Sequence, residues 1–195
     1  TDRRGRERAP RRRARVLMLA GEHAREMISS EVLLRVAADL ARASAPGLAT
    51  GVLAAADVAL VPLVNVRGRA LFERGDYCRR TNDRGVDLNR NWPTPHWGAP
   101  EGHAVQDCWP GPAPFSEAET RLVSRFATEW APDVFLSVHS GQLALPSPRA
   151  HERTLPRDHV AHERVLRAVN QRPRPPLPAR PLGAPPPPPG RPPSC

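Results

Sequence analysis

The sequence predicts an α/β domain built on a largely parallel or mixed sheet. Three observations predict it: apolar runs of strand length at residues 16–20, 58–66 and 135–138, amphipathic helical patterns at 24–45 and 116–130, and a Gly/Pro/Asn-rich stretch at 67–115. Strands that alternate with helices bury one helix stripe against a sheet face, and parallel neighbours need crossovers of about this length. At 195 residues the chain is long enough for one domain with a sizeable core and short for two.

Taken in order, residues 1–15 are polar and Arg-rich and read as a flexible lead-in. Residues 16–20 form the first strand, which ends at Gly21. From Ala24 to Ala45, the residues Met27, Ile28, Val32, Leu33, Val36, Ala37 and Leu40 recur at helical spacing, and Pro46 with Gly47 stops the helix. Pro62 within the run 58–66 marks that strand as an edge strand or a bulged one. Residues 67–115 carry little periodicity and read as long functional loops laid on a scaffold. Ser116, Glu117, Ala118 and Glu119 have the spacing of a capping box, opening a helix to about Trp130 with Leu122, Val123 and Phe126 on one face. A further helix is expected over 159–170. Beyond it, twelve of the twenty-five residues from Gln171 to Cys195 are Pro, a polyproline-like or disordered tail unable to bury a core. The domain therefore spans 16–170, between the lead-in and a tail at 171–195.

Composition narrows the function classes. The hydrophobic fraction is 39%, with the shortfall concentrated at the two ends. All 29 basic residues are Arg and the formal net charge is +9. The Arg cluster near residues 3–15 and in the Pro-rich tail without interleaved aromatics, so no nucleic-acid partner is expected. No apolar run approaches the ~18 residues that span a bilayer. Cys78, Cys108 and Cys195 leave an odd cysteine and no C-x-x-C spacing; a Cys78–Cys108 disulfide and two buried free thiols fit the sequence equally. The chain begins at Thr1 rather than Met, so the compartment is not readable from its start; a secreted or endomembrane setting is favoured over a cytoplasmic one.

The residues that carry chemistry lie at the ends of the predicted strands. His23 and Glu26, three apart after the first strand, offer an imidazole and a carboxylate on one side of a helix start. His139 follows the third strand in Phe135-Leu136-Ser137-Val138-His139-Ser140-Gly141, at the carboxyl end where ligands of open α/β sheets gather. Each alone reads more readily as a solvated pair or a core histidine. Together, two His and one Glu leave a fourth position open, which is the catalytic rather than the structural zinc arrangement. The third piece is Arg79-Arg80-Thr81 followed by Gly85-Val86-Asp87-Leu88-Asn89-Arg90-Asn91-Trp92. A free carboxylate is gripped by a guanidinium fork, and Asn89 beside Arg90 adds a directional amide.

With these pieces in this order, the chain resembles the zinc carboxypeptidase family, peptidase M14, over about residues 16–170. It looks closest to the plant and algal branch through residues 21–26, 85–92 and 111–117. The resemblance implies an α/β/α sandwich around a mixed, mostly parallel sheet, incomplete in this chain. It implies one zinc ion held by His23, Glu26 and His139, oxyanion stabilisation by Arg79, and a grip on the substrate's terminal carboxylate by Asn89 and Arg90. The activity it implies is release of C-terminal amino acids from peptides or proteins by a monomer.

The departures qualify that activity. The family's Asn-Pro-Asp-Gly turn stands here as Asn65-Val66-Arg67-Gly68. Its general base is a late-strand Glu preceded by a loop Tyr; here the only Tyr is Tyr77, and no Asp or Glu occurs from Gln171 onward. No general base is assigned, and a change of reading frame near Asn170 would account for the Pro- and Arg-rich tail. The alternatives are an N-acyl amino acid deacylase of the same fold and a zinc-binding pseudoenzyme that holds peptide C-termini without cutting them.

Overall fold

The computed structural model describes residues 12–44, 51–95, 97, 107–141, 145–146 and 156–171. Most of the lead-in, Pro46 and Gly47, and the Pro-rich tail beyond Gln171 lie outside these residues. The chain divides between His139 and Ser140 into two units.

The first unit is built on three strands, β1 (Ala14–Ala20), β2 (Ala56–Val61) and β3 (Val134–Val138), in the order β2-β1-β3. Both pairings are parallel, Val16 lying opposite Val58 on one side and Val134 on the other. These two pairings agree with the mostly parallel sheet that the resemblance implies. Central β1 is the most buried strand, as its run Val-Leu-Met-Leu-Ala requires; Leu17, Leu19 and Ala20 are fully enclosed. β2 is an outer strand of this sheet and stops one residue before Pro62, which has no N–H to give to a ladder.

Helix α1 (Met27–Ala43) starts three residues later than the pattern predicts, because the segment before it is a turn. Its buried positions are Ser29, Ser30 and Leu33, while Ile28, Val32 and Leu34 are exposed. The inward face is thus rotated from the predicted stripe. A short turn of helix, α2 (Val52–Ala55), leads into β2.

The sequence 67–115 is not all loop. Helix α3 (Val66–Glu73) opens at Asn65, whose side-chain oxygen accepts from the Gly68 N–H at 2.9 Å. Asn65 is fully buried and also donates through Nδ2 to the Glu22 carbonyl at 3.1 Å, tying the end of the second strand segment to the turn after β1. Gly68 sits so close to the Asn65 side chain and the Thr81 carbonyl that no Cβ fits. The altered turn is therefore a helix start with its own N-cap. A single 3-10 turn follows at Leu88–Arg90, capped by Asp87 accepting from Asn89 N at 2.9 Å.

Helix α4 (Ala118–Trp130) has Glu117 as its N-cap residue, and neither Ser116 nor Glu117 makes a side-chain cap bond. The predicted capping box is replaced by a buried polar network. Asn91, fully enclosed, donates to the carbonyls of Pro110 at 2.7 Å and Ala113 at 3.0 Å and to Ser116 Oγ at 2.8 Å; its oxygen accepts from Thr120 Oγ1 at 2.7 Å. The Glu117 carboxylate is equally enclosed and accepts from Asn82 Nδ2 at 2.8 Å. The inward face of α4 is Thr120 and Val123, with Leu122 and Phe126 exposed. Leu19 of β1, Val64, Leu88 and Val123 of α4 form the core that joins strand, loop and helix. Cys108 is a free thiol, so the Cys78–Cys108 disulfide is not formed.

In the second unit the described helix is α5 (His159–Asn170), at the predicted residues; none of its residues is fully buried. No helix among the described residues is long and apolar enough to cross a membrane.

Candidate metal centre

Gly21, at φ +68°, turns the chain as β1 ends, in a left-handed conformation where a Cβ would also meet Leu63 and Ser30. The following turn is held by Ala24 N donating to the Arg80 carbonyl at 3.0 Å and Glu26 N to the His23 carbonyl at 3.2 Å. His23 and Glu26 thus sit in a pinned turn before α1, not on the helix itself. The Glu26 side chain makes no cap bond to α1, which leaves its carboxylate for the site. His139 directly follows β3, one strand over from the end of β1.

The three predicted ligands converge. One ligand atom from each of His23, Glu26 and His139 lies within 4.8 Å of the others. Glu26 bridges the two imidazoles, with Oε1 2.6 Å from His23 Nδ1 and Oε2 2.8 Å from His139 Nδ1. The ring centroids are 4.9 Å apart. Burial alone would raise the Glu26 carboxyl, but its hydrogen bonds with His139 and His23 and their charge hold it far below the usual carboxylate range. The donor set of two imidazole nitrogens and one anionic oxygen suits zinc, and in the metal-free form protons occupy the contacts a divalent cation would take.

Each imidazole has a further carboxylate behind it. His23 Nε2 lies 3.2 Å from Oδ1 of the fully buried Asp87. Burial would raise Asp87, but the hydrogen bond from His23 and the Arg80 charge outweigh it, and its pKa stays at about 2. An ionised Asp87 only accepts, so His23 carries a proton on Nε2, which leaves Nδ1, facing Glu26, as the atom a metal would take. Arg80 donates to the other Asp87 oxygen at 2.9 Å and lies 3.9 Å from Glu26. On His139, burial would lower the pKa, but hydrogen bonds to Glu22 and Glu26 prevail and raise it to about 9.

The substrate-side residues are arranged differently. Arg79 is half-buried and occupied by Asp76, its Nε donating at 2.8 Å, and reaches Thr81 and Asn82 through Nη1. Asn89 and Arg90 are both exposed on the 3-10 turn, Arg90 Nη1 donating to the Asn89 carbonyl at 3.1 Å. Arg90 nonetheless contributes to holding the Asp87 carboxyl down, after Arg80. Four residues of the centre were not singled out by sequence reasoning: Glu22, Arg80, Asp87 and Ser137. All four lie inside the quoted motifs, and the polarity of Asp87 beside apolar Val86 and Leu88 was the available signal.

A parallel sheet whose strand ends bring two histidines and a glutamate together defines an α/β protein with a candidate zinc centre. The chain belongs to the zinc carboxypeptidase family, Peptidase M14, whose description matches residues 3–176. It is 29% identical over 169 residues to carboxypeptidase B2 of Bos taurus, covering 77% of this chain and 40% of that protein. It is 34% identical over 96 residues to zinc carboxypeptidase A 1 of Drosophila melanogaster, covering 45% of this chain and 22% of that one. Among solved structures, thrombin-activatable fibrinolysis inhibitor superposes with a TM-score of 0.72 at 24% identity, over 85% of this chain and 44% of that one. Carboxypeptidase A from Helicoverpa armigera does so with a TM-score of 0.66 at 21% identity, over 82% and 42%. These structures share the fold. The chain spans about 40% of the length of the carboxypeptidase B2 it matches.

Proposed function

We propose that the chain is the zinc-binding and carboxylate-gripping part of a metallocarboxypeptidase that acts on the C-termini of peptides. The observation that carries the reading is the convergence of His23, Glu26 and His139 on one point, with Nδ1 of both imidazoles turned inward. Zinc held there would supply Lewis-acid polarisation of a carbonyl oxygen and an acidified water. The chain's own residues set that stage. Glu26 brings the negative charge, and Asp87 and Arg80 lock His23. Arg79, released from Asp76, is the residue for a developing oxyanion; Asn89 and Arg90, exposed on one turn, are placed to take a carboxylate from solvent.

A zinc-binding protein that holds peptide C-termini without cutting is the second reading. It is favoured by the carboxylates around the cluster: among the described residues Glu22, Glu26 and Asp87 are each engaged by a histidine, which disfavours their service as a general base. Both readings share one test of the site. Metal analysis of the purified chain should give one zinc per chain, and His139→Ala should lose most of it. Peptides with a free C-terminus should bind more tightly than amidated ones, and Arg90→Ala should weaken only the former. Equal losses for both peptide types would refute the role of Arg90, and zinc uptake unaffected by His139→Ala would refute the centre.

A further inference from the structure

Glu22 has no part in the reading above, yet it is a carboxylate only 5% exposed in the turn that follows β1. Burying a carboxylate is costly unless partners satisfy it. Its partners are on β3 and just beyond it: Ser137 Oγ donates to Glu22 Oε2 at 2.6 Å, and His139 Nε2 lies 3.3 Å from the same oxygen. Ser137 Oγ is itself 2.9 Å from His139 Nε2. Ser137 and His139 are two apart at a strand end, which brings both side chains to one face.

The proton directions follow from the chemistry of the three groups. A carboxylate accepts only, so the Ser137 hydroxyl proton goes to Glu22. The Ser137 oxygen then faces His139 with a lone pair, and His139 must supply a proton from Nε2. A neutral imidazole protonated at Nε2 presents a lone pair at Nδ1, the atom that points at Glu26. We propose that Glu22, directly and through Ser137, is a positioning residue that fixes the ring orientation and tautomer of His139 for metal binding. The proposal rests on the zinc reading above. Glu22 does for His139 what Asp87 does for His23, so that each imidazole of the centre is oriented by its own buried carboxylate.

The experiment measures zinc affinity of the full chain by chelator competition for Glu22→Gln, Ser137→Ala and a control, Glu31→Gln, which removes an exposed carboxylate from the nearby helix. Glu22→Gln and Ser137→Ala should weaken zinc binding about 10- to 100-fold, the usual effect of losing such an outer partner, while both variants stay folded without metal by circular dichroism. Glu31→Gln should bind as the wild type does. In ¹H–¹⁵N spectra of the zinc-loaded chain, the slowly exchanging Nε2 proton of His139 should be present in the wild type and lost in both site variants. Folded site variants that bind zinc as tightly as the wild type and keep that proton would overturn the proposal. If Glu22→Gln does not fold, Ser137→Ala decides by the same criterion. A wild-type chain that takes up no zinc would overturn the zinc reading itself, and this inference with it; zinc-loaded wild type with unaltered variants overturns this inference alone.

Discussion

At the scale of single residues, a proton and the proposed zinc ion would compete for Nδ1 of His139. Without metal, burial works against a charged ring, but Glu22 and Glu26 outweigh it and raise the pKa from 6.5 to about 9. A raised folded-state value means that this group's contribution to the metal-free fold is fully present below about 6.5, falls as pH rises, and is gone above about 9. Chemical denaturation of the metal-free chain should therefore show stability declining across that window. Zinc has to displace the same proton, so its affinity should rise with pH over the same range, by at most about tenfold per pH unit for one proton released. Chelator competition at several pH values checks this; a zinc affinity independent of pH would show that His139 enters the metal-free site already neutral. The three residues of the cluster were legible in the sequence because metal chemistry restricts the residue types and strand ends restrict the places. Their outer partners were not, because whether Glu22 and Asp87 face inward depends on a turn at Gly21 and a loop at residues 82–91 that have no period to read.

At the scale of elements, the loop that presents Asn89 and Arg90 is held by side chains and not by a sheet. Asn91 is the centre of this arrangement: it binds two loop carbonyls, Ser116, Thr120 and, through its oxygen, the Glu117 N–H at 3.2 Å. Removing that amide leaves several enclosed groups without partners. Asn91→Ala should cost about 2–4 kcal/mol in urea unfolding, whereas Asn89→Ala, on the exposed side of the same turn, should cost under about 0.5 kcal/mol. A loss below about 1 kcal/mol for Asn91→Ala would mean the network is dispensable. This network also explains where the element-level reading succeeded and failed. Strands β1 and β3 and helix α5 were visible because continuous apolar runs and helical spacing report burial directly. The start of α4 was misread as a capping box because Ser116 and Glu117 point into the Asn82 and Asn91 network instead of back onto their own helix. The inward faces of α1 and α4 were misjudged for a related reason: Ser29, Ser30 and Thr120 fill them, so hydrophobicity alone pointed to Ile28, Val32 and Leu122, which are exposed.

At the scale of the whole molecule, binding and turnover make different demands on the chain. The centre and the turn carrying Asn89 and Arg90 come from residues 22–139, all in the first unit, and need only β1, β3 and the loops between them. Hydrolysis further requires a carboxylate that accepts a proton from the attacking water and passes it to the leaving amine, a contribution of about 10²–10⁴ in rate. Around the cluster, Glu22, Glu26 and Asp87 are each engaged by a histidine, which disfavours their service as that base. The sheet bears on the outcome as well. Among the described residues β2 and β3 are the outer strands, and Phe135 on β3, Leu122 on α4 and Ile28 on α1 are exposed large apolar side chains. Open strand edges beside such groups promote association between copies. The 195-residue chain should therefore bind zinc and free C-termini, release C-terminal residues slowly or not at all, and associate in solution. A chain extended to the length of the carboxypeptidases it matches should be monomeric and turn over normally. Zinc-loaded samples of both, sized by light scattering and assayed on one panel of C-terminal residues, decide the matter. Robust, chelator-sensitive cleavage by the 195-residue chain would overturn the prediction and place the general base among residues already present.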